Sequence, residues 1–181
     1  MKVTPLNIPD VLLIEPRVFE DARGFFFESF REDIFRKETS LNVSFVQDNH
    51  SKSSQGVLRG LHYQLPPHAQ GKLVRVIQGE VLDVAVDIRK SSPTRGQYVV
   101  EILSSDNKKQ LYIPEGFAHG FLTLSTTSEF LYKTTDFYHP ELGQCIIWND
   151  PTLNIKWPKN LKIRLSPKDL LGKMFNSATL F

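Results

Sequence analysis

The residues best suited to chemistry sit close together. Between Gly56 and Gly79 the sequence GVLRGLHYQLPPHAQGKLVRVIQG carries Arg59, His62, Gln64 and Lys72 among apolar residues that favour strands. A second histidine, His119, follows the turn-like Pro114-Glu115-Gly116. An imidazole titrates near neutral pH and accepts a proton without a large shift, which makes His62 a natural base. Lys72 offers a fixed positive charge and no lone pair, so it would repel a cation rather than bind it. A lone histidine is more often a hydrogen-bonded core residue. With Lys72, His119 and Arg59 in one frame, acid–base chemistry in a cavity is the better reading.

That frame resembles the two half-motifs of cupins. Gly56, five residues and His62 match the opening of the first, and Pro114-Glu115-Gly116-Phe117-Ala118-His119 matches the Pro-x-Gly-x-x-His of the second. The metal ligands are altered. Gln64 stands where the second histidine belongs, and Lys72 stands where the glutamate belongs, six residues intervening before Gly79. A metal-binding cupin needs imidazoles and a carboxylate converging on one ion. No metal is therefore expected.

Such a cavity has to be built from strands, and the sequence is rich in short ones. Val81 to Arg89 alternates, with Leu82, Val84, Val86 and Ile88 on one face and Asp83, Ala85 and Asp87 on the other. Gln78-Gly79-Glu80 reads as a turn joining it to Leu73–Ile77. Further strands are expected at Val11–Ile14, Gly24–Phe30, Phe45–Ser51, Gln97–Leu103, Gln110–Ile113, Gly120–Ser125, Glu129–Thr135 and Ile146–Trp148. Helices are expected at Arg31–Thr39 and Pro167–Gly172, the latter with Ser166 as N-cap and Asp169 in its first turn. Many short strands separated by Pro, Gly, Ser and Asn clusters imply a sandwich or barrel. With no repeat or linker, residues 1–181 are expected to form one domain.

Composition narrows the remaining classes. At 181 residues, 40% hydrophobic and 11% aromatic, the chain can bury a substantial core. A formal charge of +2 with no basic run gives no reason to expect a nucleic-acid partner. Cys145 is the single cysteine, so no intrachain disulfide forms, in keeping with a reducing compartment. Pro5, Pro9 and Asp10 interrupt the N-terminus, and no apolar run approaches membrane-spanning length, so a cytoplasmic protein without a membrane partner is expected.

Seven ordered segments resemble the dTDP-4-dehydrorhamnose 3,5-epimerase family across nearly the whole chain. They are Asp21–Glu28, Gln47–Ser51, Gly56–Gly79, Asp83–Arg89, Pro114–Phe121, Tyr132–Asp136 and Ser166–Asp169. The resemblance implies an all-β, cupin-type double-stranded β-helix (jelly roll) with a few short helices. It further implies a homodimer without metal or cofactor, acting on a dTDP-4-keto-6-deoxyhexose on the way to L-rhamnose.

Epimerisation beside a ketone needs a base, a holder for the enolate, and a proton donor on the opposite face. His62 suits the first role and Lys72 the second. The resemblance gives Tyr132 the third, with Tyr138 as another candidate. It also supplies Asp169 as the carboxylate orienting His62; Asp83, on the polar face of its strand, is the alternative and is also a candidate partner for His119. Arg59 and Lys168 suit phosphate oxygens. Arg23, Glu28, Gln47 and Asn49 resemble the family's nucleotide contacts, Phe19 and Phe26 are possible thymine contacts, and His119 fits a hydrogen bond to the sugar. Strict alternation puts Arg59 and His62 on opposite faces of one strand unless a bulge near Gly60 intervenes. The apolar Gly24–Phe30 stretch is a liability at a free edge, which suggests that it crosses to a partner subunit.

At residue 143 the sequence departs from the family, with Gly143 where a nucleotide-holding glutamate is common. Three other readings stay open. A metal-dependent cupin would use His62 and His119, with His68 or His50 outside the usual frame. A non-catalytic module would bind the sugar nucleotide alone. A relative that epimerises one carbon or isomerises the ketone would lack the full inversion that Tyr132 favours.

Overall fold

The computed structural model describes residues 1–181. Its strands are β1 (Lys2–Pro5), β2 (Leu12–Glu15), β3 (Phe19–Asp21), β4 (Gly24–Phe26), β5 (Gln47–Ser54), β6 (Leu58–Gln64), β7 (Lys72–Gln78), β8 (Glu80–Asp87), β9 (Tyr98–Ser104), β10 (Gln110–Ile113), β11 (Phe117–Thr123), β12 (Thr127–Thr134) and β13 (Gly143–Cys145). Two short helices, α1 (Glu32–Thr39) and α2 (Pro167–Leu170), and two 3-10 turns, Pro140–Leu142 and Phe175–Ser177, complete the set. A six-stranded sheet runs β1-β2-β10-β7-β12-β5 and a five-stranded sheet runs β13-β6-β11-β8-β9, with every strand pair antiparallel. This is the expected all-β jelly roll of cupin type.

Strand β8 shows why the fold closes. Its expected alternation is present, but both faces are inside. Leu82, Val84 and Val86 pack with Leu58, Leu61 and Ile146 under the C-terminal segment, which contributes Leu153, Trp157 and Phe175. Val81 and Ala85 face the space between the sheets, against Val74, Val76, Phe121 and Phe130. Asp83 and Asp87, which the sequence places on a polar face, are 0% exposed. The supposed solvent face is the sandwich interior, and its carboxylates need partners there.

The outer face of the six-stranded sheet is covered by α1. Only Phe35 of this helix is buried; it packs on Leu12, Ile14, Leu73 and Tyr112 with Phe30 and Phe45 at its edge. Glu32 and Asp33 in the first turn and Arg36 and Lys37 in the last complement the helix dipole. No helix is long and apolar enough to cross a membrane.

Four sequence expectations need correction. Gly24–Phe30 is not one strand: only Gly24–Phe26 pairs, with Phe19–Asp21, in a two-stranded sheet apart from the other two. Phe30 leaves the strand to join the aromatic cluster around Phe35, 5.9 Å between ring centres. The strand expected at Ile146–Trp148 ends earlier, at Cys145, and Ile146 makes only an isolated parallel bridge to Lys173. The first helix begins at Glu32 with Arg31 as its N-cap, and the second stops at Leu170.

Candidate active site

The site is assembled where β6 crosses β11. Opposite residues are His119 with His62 and Phe121 with Arg59, so β6 spends three steps where β11 spends two. This one-residue bulge overturns strict alternation and brings Arg59 and His62 to the same cavity. Its cause is a close backbone approach. A Cβ on Gly60, whose φ is +132°, would lie 2.5 Å from Gly120 Cα, and one on Gly120 would lie 2.8 Å from Arg59 O. Two glycines meeting across the strands leave room for the extra residue.

The cavity, about 290 Å³, lies between the sheets. Arg59, His62 and His119 come from the five-stranded sheet, Lys72 and Tyr132 from the six-stranded sheet, and Tyr138, Gly143 and Lys168 from the rim. A larger cavity of about 390 Å³ lies on the outer face of the six-stranded sheet, lined by residues including Phe30, Asp48, His50, Arg75 and Lys133. There Lys133 is already paired with Asp48 at 2.8 Å, and His50 with Glu129 at 3.0 Å. The smaller cavity is the one equipped for proton transfer.

His62 is held from behind. Its Nε2 lies 2.5 Å from Asp169 Oδ1, while Asp169 Oδ2 accepts from the Ser166 hydroxyl at 2.6 Å. Gly60 N–H donates to Asp169 Oδ1 at 3.4 Å. Asp169 also serves α2, since its own N–H donates to Ser166 Oγ at 3.2 Å. The N-cap of α2, Ser166, thus holds both the backbone N–H and the carboxylate of Asp169. Burial alone would raise Asp169, but hydrogen bonds from His62 and Ser166 outweigh it and hold the carboxyl below its usual range. For His62 burial outweighs the pull of Asp169, and its affinity for a proton is lowered. The ring stays 37% exposed toward the cavity. A neutral, oriented imidazole with an open edge can accept a proton.

Asp83 takes the other histidine. Its carboxylate lies 2.9 Å from His119 Nε2, both groups almost fully buried. Of the two partners considered for His62, the structure gives it Asp169. Lys72 is 8% exposed and donates to His62 O at 3.3 Å. Burial pulls its ammonium down to about 8, with Asp83 opposing. Tyr132 stands across the cavity with its phenol raised by burial. Arg59 donates to Ser53 Oγ at 3.0 Å and to Lys52 O at 3.1 Å, which fixes the guanidinium at the mouth.

Other expected residues lie apart. Gln47 donates to Asn49 at 2.9 Å and accepts from Tyr138 N–H at 3.1 Å, on the strand bordering the cavity. Arg23 is far out on the β3–β4 hairpin, its side chain 90% exposed and paired with Asp21. Glu28 pairs with Arg31 at 3.4 Å, and Phe19 and Phe26 are exposed. Within one chain none of these four lines the cavity. His50 pairs with Glu129 and His68 with Asp136, so neither joins His62 and His119 as a ligand. A side chain at residue 143 would come within 3.8 Å of Lys168 Nζ and of the Tyr138 hydroxyl. Gly143 leaves that ammonium facing the cavity without the carboxylate a glutamate would bring.

Two groups were missed from sequence. Cys145 Sγ lies 4.0 Å from Asp169 Oδ1 and is pushed up to about 11 by burial and then by Asp169, so it stays a thiol. Ser51 Oγ, lining the cavity, is the one buried side-chain polar atom without a partner. The alternation Gln47, Asn49, Ser51, Ser53 on β5 is the signal that could have found it.

The family model described as dTDP-4-dehydrorhamnose 3,5-epimerase matches residues 5–177. The chain is 61% identical over 181 residues to the dTDP-4-dehydrorhamnose 3,5-epimerase of Pseudomonas aeruginosa, covering 100% of this chain and 99% of that one. A dTDP-6-deoxy-D-glucose-3,5-epimerase from Legionella pneumophila, solved in complex with dTDP-4-keto-L-rhamnose, superposes with a TM-score of 0.95 at 50% identity, covering 98% of this chain and 94% of that one. A 3′-monoepimerase from Streptomyces bikiniensis, solved with dTDP-quinovose, is more distant, at a TM-score of 0.90 and 30% identity over 98% of this chain and 88% of that one. By model match, identity and fold together, this chain belongs to the dTDP-4-dehydrorhamnose 3,5-epimerase family.

Proposed function

We propose that this chain inverts C3 and C5 of dTDP-4-dehydro-6-deoxy-D-glucose to give dTDP-4-dehydro-L-rhamnose, with His62 as base, Lys72 as enolate stabiliser and Tyr132 as proton donor. The observation that carries this reading is the His62–Asp169 pair at 2.5 Å opening onto a cavity that also holds the buried Lys72. His62 takes the proton from the carbon next to the C4 ketone, and the C–H electron pair becomes the enolate. Lys72 holds the charge growing on the C4 oxygen. One such preorganised donor contributes roughly 3–4 kcal/mol to the transition state. Tyr132 gives a proton to the opposite face. His62 comes from one sheet and Tyr132 from the other, so base and donor stand on opposite walls. Asp169 orients the imidazole and stabilises its cationic form.

The rim reads the nucleotide. Arg59 and Lys168 neutralise the diphosphate, His119 and Ser51 meet polar groups of the sugar, and Gln47, Asn49 and Tyr138 border the nucleotide. Arg23, Glu28, Phe19 and Phe26 serve the site of a second copy, making the active form a homodimer in the cytoplasm. Support comes from the β3–β4 hairpin, where Phe19, Phe25 and Phe26 are 50%, 59% and 67% exposed. A two-stranded hairpin is marginal by itself, so this one needs a covering surface.

Proton NMR of the 4-keto-6-deoxyglucose nucleotide in deuterated water, with catalytic enzyme, tests the reading. Loss of the C3 and C5 signals with new sugar resonances is expected. Exchange at one carbon would make it a single-position epimerase, and tight binding without exchange would make it a binding module.

A further inference from the structure

The loop that carries Tyr138 holds a second group of ionisable residues outside the reaction centre. One donor atom from each of His68, Asp136 and His139 lies within 4.8 Å of the others. The two imidazoles are stacked, with ring centres 3.8 Å apart. Asp136 Oδ2 is 2.9 Å from His68 Nδ1, and Glu141 Oε1 is 3.1 Å from His139 Nδ1. We infer that these residues form a binding site for a divalent transition-metal ion of the zinc class, set beside the mouth of the active-site cavity.

Donor chemistry favours such an ion. Two imidazoles with carboxylate suit Zn²⁺ better than Mg²⁺ or Ca²⁺, which prefer oxygen alone. Ligand atoms around tetrahedral zinc, at about 2.0–2.1 Å from the metal, are about 3.3 Å apart. Converging on one ion asks the two imidazoles to turn out of their stack so that an in-plane nitrogen of each faces the metal, and side chains 39%, 31% and 32% exposed at His68, Asp136 and His139 have room to do so.

Charge separates this group from the other cluster of similar type. His62, Cys145 and Asp169 also bring donor atoms within 4.8 Å. Lys72 and Lys168 act on His62 there and oppose a cation, and the Cys145 thiol is pushed up to about 11, away from the thiolate a metal needs. At the outer group no lysine or arginine stands among the charges acting on Asp136, which include those of His68 and His139, and Glu141 adds a second carboxylate. The outer group attracts the ion that the inner one repels.

An ion there would join two loops. His68 lies between β6 and β7, whereas Asp136 and His139 lie between β12 and β13. Gln64 already ties these segments, donating to the carbonyls of His68 and Phe137 and accepting from His139 N–H. Metal binding would therefore stiffen the segment presenting Tyr138 to the cavity.

Equilibrium dialysis of the full chain against Zn²⁺ alone, at neutral pH, tests this site. About one ion per chain is expected in the parent and in Cys145→Ser, with affinity at least about tenfold weaker in His68→Gln/His139→Gln. Glu141→Gln, the milder change at an exposed position, is expected to weaken binding less, which guards against misfolding of the double variant. Co²⁺ should raise the melting temperature of the parent by about 5–10 °C at a hundredfold excess over its Kd. The inference is overturned if no ion binds, if binding survives in the double variant, or if it is lost in Cys145→Ser, which would place the ion at the inner cluster.

Discussion

On the cavity floor Asp169 is 3% exposed, and its oxygens are taken by His62, Ser166 and the Gly60 N–H. On the β3–β4 hairpin Arg23 is 90% exposed and holds only its neighbour Asp21. The floor is preorganised: its charged groups face one another from elements far apart in sequence, His62 on β6 and Asp169 on α2 being separated by 107 residues. The hairpin's charges pair within a few residues and its aromatic rings face outward. The first region is built for chemistry that needs fixed geometry. The second leaves apolar rings uncovered within the chain, as the proposed homodimer requires. Changes at the floor should therefore alter turnover, and changes at the hairpin should alter binding and assembly.

His62→Ala breaks this comparison most directly. Its turnover should fall about 10²–10⁴-fold, the range for losing a positioned acid–base group. Thymidine diphosphate should still bind, because the phosphate and nucleotide groups are untouched. Single-turnover kinetics with a titration calorimeter would check both halves. Turnover within a few-fold of the parent would remove His62 from the mechanism.

Lys72→Met should cost turnover about 10²–10³-fold and yet stabilise the fold. The fall of its ammonium from the ordinary 10.5 to about 8 corresponds to about 3 kcal/mol spent keeping a buried charge. Below about pH 8 the folded chain bears that cost in full. Between about 8 and 10.5 the folded lysine is neutral while the unfolded one is still protonated, so parent stability rises with pH. Urea unfolding should show Lys72→Met more stable by up to about 3 kcal/mol at pH 7, with the gap closing toward pH 10.5. A gap that does not close would mean packing, not charge, sets it.

Proton inventory at the floor predicts a bell. In the proposed mechanism His62 must be neutral to act, and its affinity for a proton is lowered from the ordinary 6.5, chiefly by burial. Lys72 must be charged, and it sits near 8. In kcat/KM, which reports the free enzyme, the acid limb should fall below pH 6.5 and the alkaline limb near 8, each by about tenfold per pH unit beyond it. In Lys72→Met the alkaline limb near 8 should vanish.

The same contrast governs how much the sequence revealed. Strand positions were legible because alternation is local: β8 and β10 lie almost where periodicity puts them. The burial of Asp83 was not, because a two-sheet interior and a solvent face read alike until His119 is known to pair with it. The bulge on β6 depends on Gly60 meeting Gly120, a contact between distant strands that alternation along one strand cannot reveal. Phe27 to Phe30 read as strand because aromatic residues favour sheets, but Phe30 goes to Phe35 and Phe45. Asp169 came from family resemblance; from spacing alone it is an ordinary first-turn acid, and it does sit in the first turn of α2, its N–H held by the N-cap Ser166.

Arg23→Ala gives the smallest effect and the sharpest test of the hairpin. Side chains this exposed contribute little to stability, so its melting temperature should match the parent's within about a degree. Apparent affinity for thymidine diphosphate should fall about tenfold or more, the scale of one charge-assisted contact, with turnover nearly unchanged. Mixing then reveals whose site the hairpin serves. If Arg23 acts in the partner's cavity, a heterodimer of Arg23→Ala and His62→Ala contains one site with both natural residues, because the His62→Ala chain lends its Arg23 to the cavity that keeps His62. Unfolding the two variants together and refolding them should restore activity with near-parental KM in about half of the dimers, one of whose two sites would be intact. If Arg23 acts in its own chain's cavity, every site in the mixture lacks one residue or the other, and the parental KM never returns.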